Sequence, residues 1–286
     1  MKTLSGDFFI FIYHIFSYLN QKGALILKNF KVIESKDNSL IKLISGLQNS
    51  SKTRQENSLF VLEGLRICKD ANENGIRFDK LIVSNNAFEK YYDDVLILSE
   101  NSKECVKIPD SLFKKISDTK SPQGILAIAT MPKSNINAIN VSGRYIALEN
   151  MADPSNLGAV SRTAEALGVS GIILSGCGVD PYSPKALRAS MGTLLRMPLF
   201  ILDNFSEEIS KLGLKVFSCV VDKDAQKLTE TSFEDGCVVV IGNEANGITE
   251  ATKAVSDKLI TIQMKGSAES LNASVAAAIS IWEMMK

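Results

Sequence analysis

Three short segments in the C-terminal half concentrate side chains able to do chemistry. The first, residues 149–158 followed by Ser161 and Arg162, gathers carboxylates, amides and a guanidinium. A capped helix start accounts for Asp153 or Ser155 as the cap and Pro154 as a rigid turn. It does not account for Arg162, a cation about two turns into the helix, near the face of Asn156 and Gly158; near a helix N-terminus that charge suits an arriving anion such as a phosphate. The second, residues 241–247, places Gly242 and Gly247 around two Asn and Glu244, so that a ligand could approach the backbone closely. Read blandly, it is an ordinary Gly- and Asn-rich loop. The third, residues 262–274, holds Ile262, Met264, Ser270, Leu271, Asn272 and Ser274 ahead of a small-residue helix. It reads either as a capping serine on a tightly packed helix, or as backbone N–H and C=O groups offered to an adenine edge.

Such loops need a scaffold, and the pattern supplies one. From Phe30 the chain reads as helix 38–47, strand 59–62, helix 63–72, strands 80–83 and 95–98, helix 109–116 and strand 124–130. Residues 131–140 are polar and carry Pro132, a linker composition. A second alternation follows, with strands at 145–148, 171–174, 199–202, 215–220, 237–241 and 257–262, and helices at 156–167, 183–191, 207–212 and 271–285. The run Cys237 to Ile241 is wholly apolar, as in a strand covered on both faces. The expected fold is α/β in two parts, the second a mostly parallel sheet with helices on both sides. Ligands of such sheets sit beyond the carboxyl ends of the strands, where the three segments fall. The expected division is an extension over 1–29, a first domain over 30–131, a linker over 132–143 and a second domain over 144–286.

Composition removes competing chemistries. The single histidine, His14, precedes both domains, which argues against triads and HExxH zinc sites. The five cysteines are scattered without a CxxC pair, so neither a disulfide framework nor a zinc site is expected, and a cytoplasmic setting fits. No GxGxxG or GxxxxGK[ST] loop occurs. The 286 residues carry zero formal net charge, which counts mildly against a polyanionic partner. Lys28, Lys31, Lys36, Lys42, Lys52 and Arg54 against Glu34 and Asp37 could still form a basic face, or simply a solvated one. The aromatic run 8–19 is too short to span a bilayer and lacks a basic flank and a cleavage site, so it reads as an extension and no membrane role is expected.

Together the three segments resemble the motifs of the SpoU (TrmH-type) branch of the SPOUT RNA methyltransferases. Asn156, Gly158 and Arg162 resemble N-x-G-x-x-x-R; Gly242, Glu244 and Gly247 resemble G-x-E-x-x-G; Ile262, Met264, Ser270, Leu271, Asn272 and Ser274 resemble I-x-M…S-L-N-x-S. The likeness runs from Tyr145 to Lys286. More loosely, Ser35 to Leu47, the FVLEG at 60–64 and Pro122-Gln123-Gly124 resemble the family's ribosomal-protein-like RNA-binding domain.

The resemblance implies a parallel-sheet SPOUT domain closed by a trefoil knot, an exception to the rule that chains do not thread loops. It implies S-adenosylmethionine as cofactor, with the adenine on backbone groups at Gly242, Ile262 and Leu271, and Met264 and Asn272 alongside. It implies a homodimer in which Arg162 enters the partner's site, no metal, and an RNA substrate. The implied reaction is methylation of a ribose 2′-hydroxyl, with Asn156, Arg162, Glu244, Ser270 and Asn272 as the catalytic set. Because a guanidinium stays protonated, Arg162 is expected to clamp a phosphate and the developing alkoxide rather than act as a base. The substrate expectation favours 23S-type ribosomal RNA over transfer RNA. The alternatives are a transfer-RNA 2′-O-methyltransferase, a base methyltransferase of the same superfamily, and an inactive RNA-binding ribosome-assembly factor.

Overall fold

The computed structural model describes residues 29–286. The aromatic run 8–19 lies outside the described residues.

Two sheets organise the chain. The first takes its strands in the order β1 (Phe30–Val32), β4 (Ser102–Ile108), β3 (Phe78–Ser84), β5 (Ile125–Thr130), β2 (Leu59–Glu63). β1, β4 and β3 run parallel, while β5 is antiparallel to both β3 and β2. Helix α1 (Ser39–Asn49) covers one face because Leu40, Ile41, Ile44 and Leu47 recur at helical spacing and are all buried. The Asn38 side chain caps it by accepting the N–H of Leu40 at 2.9 Å. A short helix α2 (Ser51–Asn57) leads into β2. The opposite face receives α3 (Leu65–Glu73), with Cys68 and Ala71 inward.

One expected strand is a helix. The apolar run 95–98 belongs to α5 (Tyr92–Glu100), which follows α4 (Asn85–Lys90). A four-residue apolar run carries no decisive period. Here Asp93 and Asp94 occupy the first turn, where carboxylates complement the helix dipole, and Val95, Leu98 and Ser99 face inward at i, i+3, i+4. The strand is β4 instead, seven residues later, and α6 (Asp110–Ile116) follows it.

The second sheet is parallel throughout, in the order β10 (Gln226–Lys227), β12 (Lys258–Thr261), β9 (Lys215–Cys219), β11 (Cys237–Ile241), β6 (Arg144–Leu148), β7 (Gly171–Ser175), β8 (Leu199–Leu202). β11 is central and buried along its whole length, as its apolar run requires. Its side chains alternate: Val239 and Ile241 join one core with α7 (Pro154–Ala166) and α12 (Ala273–Met284), while Val238 and Val240 join the core under α10 (Phe205–Ile209). The segment 132–143 runs along the β8 edge, where the Ser134 hydroxyl accepts the N–H of Ile201 at 3.0 Å.

The two sheets share a hydrophobic cluster, and the Phe60 and Tyr182 rings meet across it at 4.9 Å. Arg54 is the main polar rivet, and it departs from the expected basic face. It is 4% exposed, donating to Asp180 Oδ2 from Nε and Nη2 at 2.7 Å each and from Nη1 to the Leu47 carbonyl at 2.6 Å. The chain bend after α1 brings free carbonyls to one point, and a five-donor guanidinium satisfies them together with Asp180. Among the described residues no helix is long and apolar enough to cross a membrane.

Candidate active site

The strands β6, β9, β11 and β12 all point their carboxyl ends the same way, and the loops leaving them converge. After β6, Asp153 caps α7 by accepting the N–H of Ser155 at 2.9 Å, and Pro154 fills the first turn. This sets Asn156 one turn into the helix, buried and facing the neighbouring loops. After β11, Gly242 starts a tight hairpin in which Asn243 and Gly247 exchange backbone hydrogen bonds at 3.0 and 2.9 Å. A Cβ on Gly242 would lie 2.2 Å from the carbonyl carbon of Gly247, so only glycine fits. After β12, Asn272 caps α12 by accepting the N–H of Ser274 at 2.9 Å.

One hydrogen-bonded chain joins these loops. The Ser274 hydroxyl donates to Asn272 Oδ1 at 2.6 Å. Asn272 Nδ2 donates to Asn156 Oδ1 at 3.2 Å, and Asn156 Nδ2 donates to Glu244 Oε1 at 2.8 Å. The second carboxylate oxygen of Glu244 accepts the N–H of Ala152 at 3.3 Å. Burial works to raise the Glu244 carboxyl, but the amide of Asn156 and the backbone N–H groups of Glu244, Ala152 and Asp153 outweigh it and hold the group below its ordinary range. The amides thus keep Glu244 ionised and aimed. Asp153 is likewise held low, first by the backbone N–H of Ser155, with burial opposing and Lys185 assisting.

Beside this chain lies a cleft of about 510 Å³. Gly242, Glu244, Gly247, Ile262, Met264, Ser270 and Leu271 all line it, so seven of the twelve motif residues share one cavity. Its size falls within the roughly 300–1,000 Å³ of small-molecule sites. Asn156 and Asn272 stand behind Glu244 rather than on the wall.

Arg162 is the exception. It is exposed on α7, and its side chain forms no ion pair or hydrogen bond with any described residue. Gly158 also has a different reason from Gly242. It is where α7 crosses α8 (Pro184–Ser190), and a Cβ there would sit 2.5 Å from that of Ala189.

Sequence reading missed one wall. Val220, Val221 and Asp222, just beyond β9, also line the cleft, and Val221 is 71% exposed. The position rule for parallel sheets reaches them, since they follow a strand as the other loops do. Their residue types alone carry no signal. Among the described residues no cluster of three His, Cys, Asp or Glu side chains is placed to hold a metal.

Comparison with known proteins accords with this geometry. Residues 143–282 match the SpoU rRNA Methylase family, and residues 38–127 match the MRM3-like substrate binding domain. A 23S rRNA (guanosine(2553)-2′-O)-methyltransferase of Bacillus subtilis is 26% identical over 89% of this chain and 99% of its own length. A tRNA/rRNA methyltransferase of Synechocystis, itself uncharacterized, is 30% identical over 88% of this chain and 92% of its own. The crystal structure of an AdoMet-bound rRNA methyltransferase from Sinorhizobium meliloti superposes with a TM-score of 0.79 at 26% identity, covering 89% of this chain and 97% of that one. Two sheets in this order, three motif loops joined by one hydrogen-bonded chain, and relatives matched over nearly their full lengths lead to one assignment: this chain belongs to the SpoU rRNA methylase family.

Proposed function

We propose that this protein transfers a methyl group from S-adenosylmethionine to a ribose 2′-hydroxyl of RNA, with 23S-type ribosomal RNA, in the cytoplasm, as the substrate. The observation that carries the reading is the hydrogen-bonded chain Ser274–Asn272–Asn156–Glu244 beside the cleft. It draws one residue or more from each motif loop into a single polar edge. The 2′-O-methyltransferase name of the Bacillus subtilis relative supports the choice of ribose and of 23S rRNA.

The cleft fits the cofactor. Asp222, Glu244 and Glu269 line it against a single lysine, Lys253, a balance that suits a ligand carrying a sulfonium and an ammonium beside one carboxylate. Ile241, Ile262, Leu271 and Val221 offer apolar wall to a flat base. Gly242, Ile262 and Leu271 would hold the adenine through their backbones, with Met264 and Asn272 beside it.

When bound, S-adenosylmethionine supplies a methyl group that is already electrophilic, so the protein's task is placement. Glu244, fixed by Asn156, and Ser270 orient the ribose, with Asn272 acting through its bond to Asn156. Arg162 grips the adjoining phosphate and stabilises negative charge on the attacking oxygen. Holding the hydroxyl in place lowers the barrier by on the order of 7–11 kcal/mol.

We further propose that two copies build each site. Arg162 makes no link to the polar chain of its own protomer, and α12 leaves Val275 and Trp282 exposed at 45% and 56%. A second copy covering that face would bury the apolar residues and carry Arg162 into its partner's site. The membership of the family, rather than the shape of the cleft, is what supports a chain threaded as a trefoil knot.

Tritiated methyl transfer to ribosomal and transfer RNA from cells lacking the protein, followed by alkaline hydrolysis, tests the reading. Label in base-resistant dinucleotides of the ribosomal fraction is expected. Label released as mononucleotides would mean base methylation, and no label in either fraction would end the proposal.

A further inference from the structure

A chain of zero net charge must concentrate cations somewhere to hold a polyanion. The N-terminal sheet carries a cleft of about 500 Å³ between α4, α6 and the loop before β5, with Lys90, Lys114 and Gln123 on its wall. A second cleft of about 700 Å³ opens between α3 and α8, lined by Arg66, Arg188 and the same Gln123. Gln123 is therefore a shared sill, fixed where its Oε1 accepts the N–H of Leu65 at 2.9 Å. The two clefts adjoin at Gln123, and together they make a groove reaching from the first sheet to α8.

The charges along this groove are available. Lys90, Lys114 and Arg66 pair with no carboxylate among the described residues. Arg188 pairs with Asp118, and Lys185, one turn earlier on α8, with Asp153; in each pair both side chains are about half exposed. Exposed pairs of this kind are weak and exchange readily for another anion. The groove's acids are mostly engaged. Glu63 accepts the N–H of Asp118 at 2.9 Å and the Thr119 hydroxyl at 2.7 Å, Asp110 accepts the Ser84 hydroxyl at 2.7 Å, and Asp70 is held by Arg196. Glu73, at the far end of α3, is the remaining carboxylate.

The groove also leads to the chemistry. Lys185 reaches Asp153 at 3.3 Å, and Asp153 caps the helix that bears Asn156.

We propose that Lys90 and Lys114 of one cleft, Arg66 and Arg188 of the other, and Lys185 one turn before Arg188 form a track for the sugar–phosphate backbone of the RNA flanking the target ribose. Side chains that are point charges on flexible stems, with the forks of Arg66 and Arg188 among them, bind phosphates without reading sequence. The track rests on the RNA reading above and assigns the surface that carries it.

The test uses the full chain and unmethylated ribosomal RNA from cells lacking the protein. Lys90→Gln/Lys114→Gln and Arg66→Gln/Arg188→Gln replace exposed side chains, with Lys211→Gln on the far side of the second sheet as control. Filter binding across a potassium chloride series is expected to show each double variant binding about tenfold more weakly, with a salt slope lower by roughly 0.7–0.9 for each phosphate contact removed. Calorimetric affinity for S-adenosylmethionine and turnover at saturating RNA should match the wild type. An affinity and slope unchanged in both double variants would overturn the track. The binding result stands apart from catalysis: a wild type that binds along the track yet labels no RNA would refute the methyltransferase reading and leave the track in place.

Discussion

The side-chain amide of Asn156 donates to Glu244 at 2.8 Å across 88 residues of sequence. The same amide accepts from Asn272 on its other side. Asn156 is thus the joint between the second and third motif loops. Asn156→Ala leaves Glu244 without its side-chain donor and Asn272 without an acceptor. Single-turnover methyl transfer is expected to fall at least about tenfold, in line with the loss of a part-buried hydrogen bond to a charged group. Affinity for S-adenosylmethionine should change by no more than a few-fold. A wild-type rate in Asn156→Ala would remove the polar chain from the mechanism.

Arg162→Ala should abolish transfer while cofactor affinity stays within a few-fold. Because Arg162 is assigned to the partner's site, mixing Arg162→Ala with Asn272→Ala protomers should restore measurable activity, since one site of each mixed dimer is intact. Two inactive variants that stay inactive on mixing would place both residues in one protomer's site.

Gly242→Ala forces a methyl group against the Gly247 carbonyl, 2.2 Å from its carbon. The hairpin must open, and the floor of the cleft goes with it. Calorimetry with S-adenosylmethionine should then give no measurable heat, while the melting temperature drops only slightly. Tight binding by this variant would locate the cofactor elsewhere.

Arg54→Met leaves the partly buried Asp180 without its cation. Breaking such a pair from one side costs about 3–5 kcal/mol, which urea denaturation would register. Arg54→Met/Asp180→Asn removes the stranded charge and keeps the acceptor that caps Tyr182, so much of the loss should return. Equal destabilisation in the single and double variants would show that packing of the Arg54 stem, and not charge, is what matters.

The pH dependence follows from Glu244. Folding lowers its pKa below the ordinary value of 4.5, so the ionised form is the one the fold favours. Its contribution is whole above that value and is lost as pH falls through the lowered one. Stability and methyl transfer should therefore be insensitive to Glu244 between roughly pH 6 and 9, and decline only in acid. Glu244→Gln should be impaired at every pH and lack the acid limb assigned to this group. An unchanged acid limb in Glu244→Gln would trace that limb to other carboxylates, Asp153 first among them.

Much of the catalytic half was readable because its signals are local. β11 is a pure apolar run, and Pro154 and Pro184 mark two helix starts with Asp153 and Ser183 as caps. Most residues of the second and third motifs fall on one cleft because each loop follows a strand of the same parallel sheet. What escaped reading depends on tertiary partners. Val95 to Leu98 is helical because of which faces its neighbours cover. Arg54 looks like any surface cation until Asp180, 126 residues later, arrives beside it. The Asn156–Asn272 contact is equally invisible to spacing, since the two residues are 116 positions apart.

The order of the second sheet has a further consequence. β11 lies between β9 and β6, both earlier in the chain, so it must be inserted between them and cannot be laid down on an open margin. Its pairing of Cys237 with Arg144 closes a long span, the kind of contact that slows folding. A refolding chain would regain helical circular dichroism well before it regains a grip on the methyl donor. The delay between those two signals would time the arrival of this one strand.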